Sequence, residues 1–74
     1  MSRQPVLKYR ELIATLKNHG FVFKRQAKGS HEIWFHPTKK RFVTIPRHEG
    51  KTFKKGTLHA IIRDSGLSKE QFSK

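Results

Sequence analysis

Hydrophobic positions change their spacing along the chain, and each change marks an element. Tyr9, Leu12, Ile13 and Leu16 recur at helical intervals, with Lys8, Arg10, Glu11 and Lys17 mostly off the stripe. Gly20 stands where a helix end places glycine, so residues 7–19 are predicted to be a first helix. From Phe21 to Ala27 the chain turns aromatic and β-branched, Lys28-Gly29 supplies a turn, and Ser30 to His36 returns as a second strand. Pro37 to Lys40 turns the chain again into Arg41–Ile45, a third strand that Pro46 should stop because proline has no N–H for the ladder. Residues 46–55 carry Arg47, Lys51, Lys54 and Lys55 without a period and predict a surface loop, the least ordered inner segment. Leu58, Ile61 and Ile62 restore the helical stripe up to Ser65-Gly66, with Arg63 in the last turn. Ser68 and Gln71 have the spacing of a capping box, opening a final turn that returns Phe72 to the core.

The order α-β-β-β-α with one apolar stripe per helix specifies an α+β fold in which both helices cover one face of a three-stranded antiparallel sheet. The other face is left open, and the order of elements is that of the double-stranded RNA-binding-domain fold. With 74 residues there is room for a single domain and one small core, preceded by a flexible polar arm over residues 1–6. The chain has no cysteine, which excludes disulfide staples, zinc ribbons and thiol nucleophiles and is compatible with a reducing compartment. Neither a signal-peptide core nor a run long enough for a membrane span is present, so no membrane partner and a cytoplasmic location are expected.

Charge then sets the class of partner. Seventeen Lys and Arg against five Asp and Glu give a net charge of +12, which calls for a polyanion. Lys24, Arg25, Lys28, Lys39, Lys40, Arg41, Arg47, Lys51, Lys54 and Lys55 gather on the strands, turns and loop rather than along the helices, outlining a phosphate footprint. Trp34 and Phe53 are candidates to stack on bases, with core packing as the other reading of Trp34.

Glu11, Glu32, Glu49, Asp64 and Glu70 are scattered over separate elements, which argues against a two-metal nuclease site. The five histidines include no i, i+4 pair on one helix, and Lys54-Lys55-Gly56-Thr57 lacks the upstream glycine of a Walker loop. No metal and no small-molecule cofactor is therefore expected. RNA is the polyanion that carries its own nucleophile, the 2′-hydroxyl, and a histidine is the side chain suited to take its proton. Gly29-Ser30-His31 lies where a turn enters a strand, so backbone amides and the Ser30 hydroxyl can approach a phosphate with His31 beside it. The alternative is that Gly29 only supplies positive φ and His31 is an ordinary strand residue.

Gly20-Phe21, Lys28-Gly29-Ser30-His31, His36-Pro37, Val43 to Pro46, His48, Lys55-Gly56-Thr57-Leu58 and Ile61 to Ser68 occur in one order that closely resembles the HicA family of toxin ribonucleases. The resemblance runs from about Leu7 to Phe72. It implies a double-stranded RNA-binding-domain-like fold, an endoribonuclease that cleaves mRNA and arrests translation, a HicB-type antitoxin as protein partner, and a single catalytic histidine at His31. In that reading His31 is the general base on the 2′-hydroxyl, with Lys28 first among the groups that stabilise charge and Gly29, Ser30, Lys24, Arg25, Arg47, His48, Lys51, Lys54 and Lys55 as RNA contacts. His48 matches a histidine position of the family and is either an assistant to the phosphate or a surface loop residue. A non-catalytic RNA-binding module is the alternative function, and a subunit that neutralises an acidic protein is a third. Since Ile33 and Phe35 share one parity of the second strand and Trp34 has the other, the sequence leaves open which sheet face carries His31.

Overall fold

The computed structural model describes residues 6–47 and 50–72, in the order α1 (Tyr9–Asn18), β1 (Val22–Gln26), β2 (His31–His36), β3 (Arg41–Pro46), α2 (Lys55–Ser65) and a short 3₁₀ turn at Lys69–Phe72. The α+β order is the one the periodicity predicts, and the departures are at element ends. α1 starts at Tyr9 because Leu7 belongs to an extended segment: its carbonyl accepts from the Phe53 N–H at 3.0 Å, and Lys8 bridges Thr52. The basic loop, expected to be loosely held, is thus tied to the start of the domain, with Phe53 buried in the core.

Glu11 caps the first turn of α1 by accepting from the Lys8 N–H at 2.9 Å. The helix ends in a Schellman arrangement, with the Phe21 N–H on the Leu16 carbonyl and the Gly20 N–H on the Lys17 carbonyl. Gly20 has φ 92°, and a Cβ there would lie 2.8 Å from His36 Nε2, so neither conformation nor space admits a side chain. The last turn is held as the Ser68–Gln71 spacing predicts: the Gln71 side chain accepts from the Ser68 N–H at 2.8 Å, and Phe72 is buried.

The sheet has the order β1-β2-β3, antiparallel throughout. One face places Trp34, Val43 and Ile45 against Leu12, Ile13 and Leu16 of α1, Leu58, Ile61 and Ile62 of α2, and Phe21 and Phe72. Each such side chain contributes roughly 1.5–3 kcal/mol on burial, and together they form one core. The register gives the opposite face three rows: Val22, Phe35 and Phe42; then Arg25, Ile33 and Thr44; then His31 and Pro46. His31 therefore shares a face with Ile33 and Phe35. β1 carries a bulge, since Phe23 pairs with Trp34 while Arg25 pairs with Ile33, leaving Lys24 as the extra residue. Pro46 is tolerated because it is the last residue of an edge strand. The ladder continues past it, the Arg47 N–H donating to the Ser30 carbonyl at 2.9 Å.

Candidate active site

The turn between β1 and β2 is built to present His31. The Ala27 N–H donates to the His31 carbonyl at 2.8 Å, and the Gln26 side-chain amide donates to the carbonyls of Gly29 at 3.3 Å and His31 at 3.0 Å. Gly29 has φ 67°, a left-handed conformation in which a β-carbon is strained. The exposed His31 ring then folds back so that Nδ1 lies 3.1 Å from the Lys28 carbonyl. A carbonyl oxygen only accepts, so Nδ1 carries the proton and, in the neutral ring, Nε2 carries the lone pair. That is the tautomer a base acting through Nε2 requires.

His31 also forms part of the wall of a groove of about 690 Å³. Thr44 and Pro46 stand beside it on the sheet, Thr57, Ala60, Ile61 and Asp64 form the α2 wall, and Lys51 to Lys54 cross from the loop. Lys54 is the residue before α2 and its side chain accepts no N–H of the first turn, which holds no acid. The positive end of the helix dipole thus adds to the charges of Lys51 and Lys54 rather than being offset, concentrating positive potential where an anion could lie. Among the described residues, Asp64 is the single carboxylate of the lining. Among the described residues, no three His, Asp or Glu side chains come together to share a metal ion.

The structure brings together some of the residues that the sequence suggests and separates others. Lys28, Gly29, Ser30 and His31 form one continuous turn, and Lys51 and Lys54 join His31 at the groove, with Lys55 opening α2 next to it. Lys24 lies on the open face, its ammonium 5.5 Å from the centre of the Phe35 ring, and Arg25 pairs there with Ile33. Arg47 goes elsewhere. Its guanidinium is 3.7 Å from Glu32 and 5.5 Å from the centre of the Tyr9 ring, on the side of the sheet away from His31. It braces the buried carboxylate of Glu32, which also accepts from Tyr9 Oη at 2.6 Å and Trp34 Nε1 at 3.0 Å. His48 lies outside the described residues. Trp34 and Phe53 are 4% and 9% exposed and belong to the core, so neither offers a ring for stacking. The rings on the open face are instead Phe35 and Phe42, which alternation alone does not distinguish from Trp34.

His36 and His19 do structural work: His36 Nδ1 accepts from the Lys39 N–H at 3.1 Å, and His19 Nδ1 contacts the Thr15 carbonyl at 2.9 Å near the end of α1. His31 is thereby singled out as the histidine of the basic groove among the described residues. A family model described as "HicA toxin of bacterial toxin-antitoxin" matches residues 9–67. The chain belongs to the HicA toxin family. The match spans the domain from the start of α1 to just past the end of α2, so it includes the Lys28–His31 turn, the groove and both helices of this HicA protein. No curated protein is found to match the chain. As a HicA toxin it is one component of a toxin–antitoxin pair. No helix among the described residues is long and apolar enough to cross a membrane.

Proposed function

We propose that this HicA toxin is a cytoplasmic, metal-independent endoribonuclease that cleaves mRNA and so arrests translation, with His31 as the general base. The observation that carries this reading is the Nδ1 contact of His31 with the Lys28 carbonyl, on the wall of a groove edged by Lys51 and Lys54. Nε2 takes the proton of a 2′-hydroxyl, and the oxygen attacks the adjacent phosphorus. The 5′-oxygen leaves and is protonated from solvent, giving a 2′,3′-cyclic phosphate and a 5′-hydroxyl. Lys28, with Lys51 and Lys54, offsets the charge that builds on the phosphorane, and Ser30 and the amides of the Gly29 turn supply hydrogen bonds to phosphate oxygens. The dispersal of the carboxylates over separate elements supports activation by histidine rather than by a metal pair. Its protein partner is an acidic, HicB-type antitoxin that competes with RNA for the same basic surface.

The test is incubation of the purified chain, free of any antitoxin, with a long mRNA in EDTA. Cleavage leaving cyclic-phosphate and 5′-hydroxyl ends is expected. A strict need for Mg²⁺, or ends bearing 5′-phosphate, overturns the mechanism, and binding without cleavage makes the chain an RNA-binding module.

A further inference from the structure

The open sheet face has an organisation that the His31 chemistry does not use. Val22, Phe35 and Phe42 stand opposite one another on the three strands and form a continuous apolar row. The rings of Phe35 and Phe42 are 4.6 Å apart at an interplanar angle of 32°, and Phe42 is 55% exposed. The bulge in β1 adds Lys24 to this row, its ammonium over the Phe35 ring, so Phe42 is the more open of the two rings. None of the strand residues assigned to this face is acidic; Glu32, the one carboxylate of the three strands, is buried on the opposite side. Phe35 lies four positions along β2 from His31, roughly 13 Å on the same face.

From this geometry we infer that Phe35 and Phe42 form a stacking platform for the bases of single-stranded RNA, with Lys24 beside it as a phosphate contact. The inference rests on the ribonuclease reading and extends it to a substrate class. Flat rings with basic neighbours and no carboxylate match the chemistry of unpaired nucleotides, whose bases have π-faces and whose backbone is anionic. An RNA duplex keeps its bases stacked inside and cannot offer them to the platform. A strand lying along β2 places a phosphate at His31 and a base on Phe42.

The experiment measures binding of a short 2′-O-methyl oligoribonucleotide, which cannot be cleaved, to the wild-type chain, Phe42→Ala and Phe42→Trp. Phe42→Ala is expected to weaken single-strand binding by roughly tenfold. It should leave the salt dependence unchanged, because no cation is removed, and Phe42→Trp should restore affinity. An abasic strand of the same length should bind wild type and Phe42→Ala alike. Equal binding of the intact strand by wild type and Phe42→Ala overturns the platform while the ribonuclease reading stands. Failure of the wild-type chain to bind the strand at all overturns both. If Phe42→Ala weakens only an acidic protein partner and leaves RNA affinity intact, the row is a protein-docking face and the platform is overturned.

Discussion

The Tyr9 hydroxyl donates to Glu32 Oε1 at 2.6 Å, joining α1 to the strand position next to His31. Glu32 is 3% exposed, and the same oxygen accepts from the Trp34 indole N–H, with Arg47 near the other. Removing the carboxylate takes away the acceptor shared by the Tyr9 hydroxyl and the Trp34 indole N–H, together with the Arg47–Glu32 ion pair. Glu32→Ala is therefore expected to destabilise the fold by about 2–3 kcal/mol, and Tyr9→Phe by about 1–2 kcal/mol. Urea unfolding checks this. A loss below about 0.5 kcal/mol in both variants would mean that the network does not carry the load assigned to it.

The contact of His31 with the Lys28 carbonyl yields a second prediction. In the neutral ring, long-range ¹⁵N–¹H spectra should show the proton on Nδ1. His31→Ala should abolish cleavage, while RNA affinity stays within about threefold and stability within about 0.5 kcal/mol, because the side chain is exposed and makes no core contact. Cleavage persisting in that variant removes His31 from the chemistry.

Much of the fold was legible in the sequence, because both helices have a clean apolar stripe and the turns carry glycine or proline. The Gly20 helix end and the return of Phe72 to the core are found where the spacing puts them. The sheet face of His31 was not legible. β2 reads His-Glu-Ile-Trp-Phe-His, apolar on both parities, and its core parity includes a carboxylate, which only the Tyr9 and Trp34 donors and the nearby Arg47 explain. Arg47 and Lys51 look alike as basic loop residues, yet one braces Glu32 and the other lines the groove. That difference depends on contacts far apart in sequence. Phe35 and Phe42 do not stand out from Trp34 in the sequence, because ring type does not reveal orientation.

Placement in the groove gives Lys51 and Lys54 a measurable electrostatic signature. If each neutralises one phosphate of a single strand, the alanine variants should each lower the slope of log K against log salt by about 0.7 and weaken binding nearly equally for all sequences. Fluorescence anisotropy across a salt series reads the slope. A change in base preference with an unchanged slope would mean that these lysines contact bases rather than backbone.

Control by an antitoxin makes the last prediction. RNA and an acidic partner both need the positive surface around His31, so masking of the groove is the simplest form of inhibition, with no distant conformational switch. Charge reversal at Lys28 and Lys51 together should weaken both ligands, since Lys28 is in the His31 turn and Lys51 is on the groove wall. Reversal at Arg47 should behave differently, putting a second carboxylate beside the buried Glu32 and costing stability before it affects either ligand. His31→Ala should spare the complex, because the histidine supplies chemistry more than contact energy. Calorimetry with antitoxin and with uncleavable RNA, together with thermal unfolding of each variant, separates these effects. Normal RNA binding by the antitoxin-saturated toxin, with the His31 ring still accessible to chemical modification, would show that inhibition works by some route other than masking.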